Sequence, residues 1–189
     1  QSNFQELMDF HKAISLLNLE EISAVLIARL PSVFLIDYFT LFLYDQDKRK
    51  LNLMCHNHPE IESSFSISLS SSPIMEAAIL RGQYIREQDF STSSYYRGEY
   101  NPLFKKGYFV TIPLMIEQEI VGVLNINDVD QDSFNVGDLD FILSLSEFIA
   151  MSISNAVLYE QARALAVIDG LTGISNRLSM DKSLLTEFE

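Results

Sequence analysis

The sequence predicts an α+β fold in which one antiparallel sheet packs against helices and is flanked by long terminal helices. Two pairs of strand-like segments, each joined by a short polar turn, predict hairpins over 38–56 and 109–127. Apolar residues recur with helical spacing near both ends of the chain, over 3–17 and after 135. The segment 38–44 is apolar nearly throughout, which indicates a strand covered on both faces.

The N-terminal part of the chain predicts two helices. Apolar residues over 3–17 recur at steps of three and four, which is typical of an amphipathic helix. Asn18 is a favourable N-cap for a second helix, and Glu20 and Glu21 would stand in its first turn, where the helix dipole favours negative charge. That helix is predicted to end at Leu30, because Pro31 follows.

The next segments predict the first strands of the sheet. An apolar and aromatic strand over 38–44 and an alternating strand over 50–56 flank the polar turn 45–48. Alternation returns over 65–69, which predicts a third strand.

A short helix and a long loop are predicted next. The run Ser-Ser-Ser-Pro at 70–73 is a strong helix start, and Gly82 would end that helix. A brief strand is predicted over 83–86. Residues 88–107 are polar and aromatic without a clear period, which predicts a long loop.

The last elements are a hairpin and an unusually long helix. Strands over 109–117 and 120–127 are predicted to meet at a turn formed by Gln118 and Glu119. From Asn135 onward the apolar pattern is helical for over thirty residues. Such a length exceeds an ordinary globular helix and indicates a connecting or signalling helix.

Composition and charge restrict the class of protein. With 189 residues, 48% of them hydrophobic, 13 Phe and 8 Tyr, the chain predicts one domain with an aromatic-rich core and appendages. The net charge of −13 argues against nucleic acid or an anionic membrane surface as a partner. The stretch 81–106 has a locally positive balance, which either holds an anion or is ordinary solvated loop charge.

No segment predicts export or membrane insertion. Arg29, Asp140 and Glu147 interrupt the best apolar runs before these reach the roughly 18 residues that a membrane helix needs, and no signal sequence is visible. The single cysteine, Cys55, excludes an internal disulfide and fits a reducing compartment. A cytoplasmic location without membrane contact is therefore predicted.

No residue set predicts catalysis or a metal centre. His56 and His58 stand two apart on a strand and would point the same way, as metal ligands do, but no third His or Cys is clustered with them. The chain has no Gly-rich phosphate loop with Lys-Ser/Thr and no HExxH motif. We therefore predict no catalytic site, no metal and no covalently bound cofactor.

Two segments, together with the order of elements, resemble GAF domains over about 19–160. The runs Thr-Ile-Pro-Leu and Ile-Val-Gly-Val-Leu within 111–124 are similar to the hairpin of that family. Phe134 with Asp138, followed by Ser-Asn-Ala-Val-Leu-Tyr at 154–159, resembles its closing helix. The resemblance implies a GAF-like antiparallel sheet with helices packed on one face. On the other face it implies a ligand pocket under the short helix and the long loop.

Residues 169–177 read D-G-L-T-G-I-S-N-R and resemble the opening of a GGDEF domain, D-x-L-T-G-L-x-N-R. The other interpretation of this run is a helix stop followed by a Gly-rich turn. GGDEF domains make cyclic di-GMP from two GTP, but the loop that names them would lie further along the chain. The resemblance therefore implies that this fragment is not an enzyme and that the longer protein is a diguanylate cyclase.

These resemblances divide the chain into four parts. An N-terminal helix over 1–18 precedes a GAF sensor domain over 19–157. A signalling helix over 158–168 then leads into the start of a GGDEF domain over 169–189.

The GAF resemblance implies a small ligand, and we place a cyclic nucleotide first, cAMP ahead of cGMP. The run Ser70, Ser71 and Ser72 occupies the helix start where cyclic-nucleotide-binding relatives hold phosphate and ribose, and aromatic residues would stack on the purine. The residues placed around the ligand are Phe65, Ser66, Ser71, Ser72, Ile74, Met75, Asp89, Tyr95, Tyr96, Tyr100, Phe104, Thr111 and Asn125. Taken singly, the serines are equally explained as a helix cap and the aromatics as core.

Two other readings of the pocket stay open. In one, the domain is only a dimerisation scaffold whose pocket is unfilled or collapsed. In the other, the pocket takes an unrelated small aromatic metabolite.

One motif of cyclic-nucleotide GAF domains is altered in this chain. The GAF domains of phosphodiesterases carry N-K…F-x-x-x-D-E, and Asn127, Phe134 and Asp138 match three of these positions. Asp128 replaces the Lys and Leu139 replaces the Glu. In that pattern a Lys–Asp salt bridge secures the loop that covers the pocket, and this chain lacks the lysine at that position. Asp138 is instead suited to cap the long helix.

The terminal helices predict a homodimer. The segments 3–17 and 135–168 can pair with their copies as a four-helix bundle, and Met151, Leu158 and Leu165 are spaced by seven like a coiled-coil seam. Packing of the last helix on its own sheet explains 139–153 without a partner. Because two GTP-bearing GGDEF domains must meet face to face, the implied output also requires a dimer.

Overall fold

A computed structural model of the chain describes residues 2–14, 18–34, 36–62, 64–96, 108–127 and 136–167. The helices are α1 (Ser2–Ile14), α2 (Leu19–Phe34), α3 (Pro73–Arg81) and α4 (Val136–Val167). The strands are β1 (Tyr38–Asp45), β2 (Lys50–His56), β3 (Ser66–Ser68), β4 (Ile85–Glu87), β5 (Phe109–Ile116) and β6 (Glu119–Asn127). Single 3₁₀ turns lie at Leu69–Ser71 and Phe90–Thr92.

The strands form one sheet in the order β3-β2-β1-β6-β5-β4, and every neighbouring pair is antiparallel. The β1–β2 hairpin closes at the polar turn, where the backbone amide of Lys48 donates to Asp45 Oδ1 over 3.0 Å. This hydrogen bond holds the pKa of the Asp45 carboxyl below its usual value. The predicted antiparallel sheet is confirmed.

One face of the sheet, which we call the α4 face, packs against α2 and α4, and α1 packs on these two helices. Helical periodicity puts Ile22, Leu26 and Leu30 of α2 on its buried side. The sheet contributes alternate residues from its strands, and the buried sheet residues of this layer are Phe39, Leu41, Cys55, Val110, Ile112, Leu114, Leu124 and Ile126. This layer is the main hydrophobic core.

The opposite face, which we call the α3 face, carries a smaller apolar cluster beneath α3. Pro73 stands at the first position of this helix and Gly82 ends it with a φ of 59°, a left-handed conformation that glycine adopts at little cost. The buried members of the cluster are Phe42, Leu51, Leu53, Leu69, Ile74, Met75, Ala78, Ile79, Ile85, Phe109 and Val123. Both faces of β1 are therefore covered, as its apolar sequence predicted.

Two element boundaries differ from the predicted ones. α2 continues through Pro31 to Phe34, although a proline inside a helix removes one backbone hydrogen bond. The backbone amide of Ile36 then donates to the Pro31 carbonyl over 3.2 Å and closes the helix. The β5–β6 turn lies one residue earlier than predicted, with Glu117 at a φ of 55°.

Within Gly137–Ala164, α4 contains an 18-residue window with a mean hydropathy of 1.7, which is enough to cross a membrane by length and composition alone. Asp140 and Glu147 lie within this stretch as expected, but they leave it apolar enough, so the expectation that no stretch has the length of a membrane helix is not met. Ile142, Leu145, Ile149 and Ile153 are fully buried in the core of the α4 face, which is a sufficient reason for this composition. From Leu158 to Ala164 the helix is exposed.

Candidate functional site

Four polar residues stand side by side across four strands on the α3 face. His56 of β2 pairs with Thr40 of β1, Thr40 pairs with Asn125 of β6, and Asn125 pairs with Thr111 of β5. Paired residues project to the same side of a sheet, so these side chains form one continuous row. We call it the polar row. Thr40, Thr111 and Asn125 are buried.

Asn125 holds the middle of the polar row together. Thr111 Oγ1 donates to Asn125 Oδ1 over 2.9 Å, and Asn125 Nδ2 donates to Thr40 Oγ1 over 3.2 Å. Nδ2 also lies 3.2 Å from Sδ of Met75, so α3 contacts the row directly. The structure thus brings together Met75, Thr111 and Asn125, three of the residues predicted around the ligand. Thr40 and His56 were not placed there, although Thr40 is a polar position within a nearly apolar strand.

A second group continues from the polar row toward the ends of the strands. Asn127 pairs with Tyr38 on one side and Phe109 on the other. The ring of Tyr38 lies 4.2 Å from that of buried His58, centroid to centroid, and His58 Nδ1 accepts from the Glu60 amide over 3.1 Å. This end of the α3 face is therefore lined by aromatic rings and amides.

Two buried polar atoms of this region have no hydrogen-bond partner within the described part of the chain. They are Nδ1 of His56 and Oδ1 of Asn127. A buried polar group left without a partner costs about 1–3 kcal/mol, and such groups are few in folded proteins. Both atoms lie on the α3 face, one on each side of β1.

The remaining predicted residues are divided between the two faces and the surface. Phe65 packs edge-on against Phe42 on the α3 face, with 5.8 Å between ring centroids. Ser66 lies on the opposite side of the sheet, where its hydroxyl donates to Asn52 Oδ1 over 2.6 Å. The structure therefore does not bring Ser66 to the polar row.

The serines and Ile74 lie at the start of α3. Ser72 occupies the N-cap position, but its hydroxyl makes no capping hydrogen bond, and Ser71 is exposed in the preceding 3₁₀ turn. Ile74 is buried in the apolar cluster. Ser72 is therefore available to other groups at this helix terminus, whereas Ile74 is part of the packing.

Three predicted ligand residues of the long loop 88–107 are described, and they follow α3 in the chain. Asp89 is exposed and accepts from the amide and the hydroxyl of Ser91 over 2.9 and 2.6 Å, which fixes a local turn. Tyr95 and Tyr96 are partly buried, and the Arg81 guanidinium lies 5.9 Å from the Tyr95 ring centroid. Of the predicted residues, Tyr100, Phe104, Asp128 and Phe134 lie outside the described residues.

The single thiol is remote from the polar row. Cys55 faces the α4 side, and burial raises its pKa to about 12, against a smaller opposing effect of a hydrogen bond with Ser23. It stays protonated at neutral pH and cannot act as a nucleophile on the α3 face. Within the described ranges, no group of three or more His, Cys, Asp or Glu side chains is placed to hold a metal ion.

A separate cleft of about 1030 Å³ opens at the sheet edge between β5 and α4. Its walls include Tyr84, Arg86, Met115, Glu147 and Met151. None of the predicted ligand residues lines this cleft. β4 pairs only with 109–111, so the outer edge of β5 is open beyond that point, and Pro113 stands on it without an amide hydrogen.

The family model described as GAF domain matches residues 18–155. The GAF domain of a phosphoenolpyruvate-protein phosphotransferase from Acinetobacter superposes with a TM-score of 0.71 at 16% identity, over 85% of this chain and 98% of that one. The corresponding domain from Coxiella burnetii gives 0.70 at 18% identity, over 84% and 96%. These superpositions show that the chain and the two GAF domains share a fold.

An enzyme has a similar fold. The free methionine-R-sulfoxide reductase from Neisseria meningitidis, solved in complex with its substrate, gives a TM-score of 0.65 at 14% identity, over 83% of this chain and 91% of that one. No curated protein sequence matches the chain. The sensor domain predicted over 19–157 thus corresponds closely to the matched range.

Proposed function

The chain belongs to the GAF domain family, a sensor and regulatory fold, and from this premise we propose that it binds a small ligand on its α3 face. The observation that carries the proposal is the polar row together with two unpartnered buried atoms, His56 Nδ1 within the row and Asn127 Oδ1 beside it. A face that served only as packing for α3 would be more stable with apolar side chains in these positions. A ligand supplies the missing hydrogen-bond partners.

We place cAMP first among the ligands, ahead of cGMP. The polar row presents hydroxyls, an amide and an imidazole, which suit the edge of a purine, and Tyr38 and Phe109 are aromatic neighbours on which a base can stack. At the start of α3, Ser72 and the helix dipole offer a place for the single negative charge of a cyclic phosphate.

Ligand entry on this face is coupled to a movement of α3. Met75 contacts the Asn125 amide at 3.2 Å, so a ligand that lies over the polar row must displace the Met75 side chain. Arg49 and Glu76 form an ion pair at 3.1 Å that ties the other side of α3 to the β1–β2 hairpin. The displacement would therefore be transmitted to the sheet and, across it, to α4.

The proposed output is cyclic di-GMP synthesis by a longer protein that contains this chain. The sequence at 169–177 supports a following GGDEF domain. α4 leads from the core of the α4 face toward that segment. Ligand binding would then control the association of two such domains through paired α1 and α4 helices.

The test is a thermal-shift and calorimetric panel of cyclic nucleotides with the 189-residue chain. We expect cAMP to raise the melting temperature by several degrees, since saturation at 100 times Kd stabilises by about 2.7 kcal/mol. Ser71→Ala with Ser72→Ala should weaken binding. Ser64→Ala is the control, since this exposed serine lies outside the serine run at the start of α3.

A dimerisation scaffold without a ligand is the second candidate. It is favoured by the packing of Ile74, Met75, Ala78 and Ile79 directly on the α3 face. Under this alternative no compound of the panel changes the melting temperature, and the cyclase activity of the longer protein does not depend on any of them. An increase in melting temperature with cGMP alone would support the sensor function and contradict cAMP as the ligand.

A further inference from the structure

Asn125 and Asn127 stand two residues apart on β6, on the same face of the sheet, yet their amides differ in one respect. Asn125 is 6% exposed and uses both amide atoms, accepting from Thr111 and donating to Thr40. Asn127 is 2% exposed, and its Oδ1 has no partner among the described residues. The first amide is occupied by the protein, whereas the second is available.

The neighbours of Asn127 indicate what its amide would meet. Tyr38 and Phe109 flank it on the adjacent strands and project to the same side. The Tyr38 ring is itself supported by His58. A planar ligand resting on one of these rings would present its edge, and not its face, to the amide between them.

An asparagine amide offers one acceptor and two donors, and the two ends exchange by rotation of the side chain. It therefore pairs in a bidentate way with an edge that carries an N–H donor beside an acceptor nitrogen. The N6 and N7 atoms of adenine form such an edge. A ring carbonyl at the N6 position would face Oδ1 or force the amide to turn.

We propose that Asn127 determines ligand specificity, by binding the amino-substituted edge of a planar heteroaromatic ring of the adenine type. The proposal rests on the ligand-sensing function proposed above and names the ligand chemistry of that site. Asn125 is then a positioning residue that fixes Thr40 and Thr111. His56 Nδ1 lies across β1 from Asn127 and remains for another part of the ligand.

Two matched variants, Asn127→Leu and Asn125→Leu, separate these roles before any ligand is added. Leucine is close to asparagine in shape, and Asn127→Leu removes an unpaired buried polar atom without breaking a hydrogen bond. We expect its melting temperature to stay the same or rise by a few degrees. Asn125→Leu strands two buried threonine hydroxyls, so its melting temperature should fall by several degrees.

Calorimetry with three probes then tests the contact itself. The probes are cAMP, its analogue without the 6-amino group, and its 7-deaza analogue. Wild type should bind cAMP about 10- to 100-fold more tightly than either analogue. Asn127→Leu should lose this preference and bind all three alike.

Each other result contradicts a defined part of the proposal. Equal binding of the three probes by wild type, or an undiminished cAMP preference in Asn127→Leu, rejects the inference and leaves the sensor function standing. A melting temperature for Asn127→Leu several degrees below wild type assigns Asn127 a structural role and also rejects the inference. A wild-type chain that binds none of the probes rejects both the cyclic-nucleotide function and this inference.

Discussion

Gly122 of β6 pairs with Leu43 of β1 and lies directly against the β1 backbone. A Cβ at this position would collide with the backbone carbonyl oxygen of Phe42, which cannot move without breaking the β1–β6 pairing. The glycine of the family-like hairpin motif therefore has a steric cause in this chain. Only a residue without a side chain allows the two central strands to pair here.

We predict that Gly122→Ala lowers the free energy of unfolding by about 3 kcal/mol, because the clash is with backbone and forces the two strands apart. Urea denaturation followed by circular dichroism measures the change. Gly137→Ala is the matched control at an exposed position in the first turn of α4, where alanine favours the helix by up to about 1 kcal/mol. Equal stability of Gly122→Ala and wild type would contradict the steric argument.

At the level of single residues, sequence reasoning was most successful where alternation was regular. Thr111 and Asn125 were placed on the ligand face, and the structure puts both in the polar row. Ser66 was placed there too, but it lies on the other side of the sheet beside Asn52. β3 is only three residues long, and its pairing with β2 decides which of its side chains face α3. A short strand does not carry that information in its own sequence.

The N-terminus of α2 shows how local sequence determines the start of an element. The Asn18 side chain accepts from the Glu21 amide over 2.9 Å, and the Glu21 carboxylate accepts from the Asn18 amide over 3.0 Å. This reciprocal pair is a capping box, and it confirms the predicted role of Asn18. The end of α2 was less predictable, because burial of Phe34 and the closing hydrogen bond of Ile36 carry the helix past Pro31.

We expect Asn18→Ala to lower the free energy of unfolding by about 1 kcal/mol through loss of the cap. Asn18→Ser keeps a side-chain acceptor and should remain within a few tenths of a kcal/mol of wild type. Chemical denaturation of the three proteins under one set of conditions measures both changes. If Asn18→Ala and Asn18→Ser were equally destabilised, the side-chain hydrogen bond would not be the cause.

For the whole molecule, the antiparallel sheet with helices packed on one face and a short helix over the other was predicted from the order of elements and the resemblance to GAF domains. The site was only partly predictable, because the polar row joins residues from four strands whose alignment depends on long-range pairing. His56 and Thr40 are separated from Thr111 by 55 and 71 positions, and only the register of the completed sheet brings them into line. The relative arrangement of two copies depends on contacts between the copies, which a single chain does not show.

The exposed part of α4 supports the proposed homodimer. Leu158 is 59% exposed and Tyr159 is 70% exposed, beyond the region where α4 packs on its own sheet. Large apolar side chains on a protruding helix are typical of an association surface. Met151 is exposed one heptad before Leu158, which agrees with the predicted seam.

We predict that Leu158→Glu shifts the chain from dimer to monomer, because two added charges would face each other in the seam. Light scattering coupled to size exclusion at micromolar concentration measures the molar mass. Ala164→Glu adds the same charge on the same exposed helix, about 120° around the helix axis from Leu158, and should leave the dimer intact. A wild-type chain that elutes as a strict monomer would refute the dimer directly.

The length of α4 beyond the sheet amplifies small movements of its buried half. At about 1.5 Å per residue, the ten positions from 158 to 167 extend roughly 15 Å past the last anchored turn. A tilt of about five degrees in the embedded half would displace the free tip by more than about 1 Å. That is comparable to the helix translations of about 1–2 Å by which subunit interfaces switch. A tilt of α4 too small to alter the strand pairing would therefore produce a larger displacement at the exposed end of the helix.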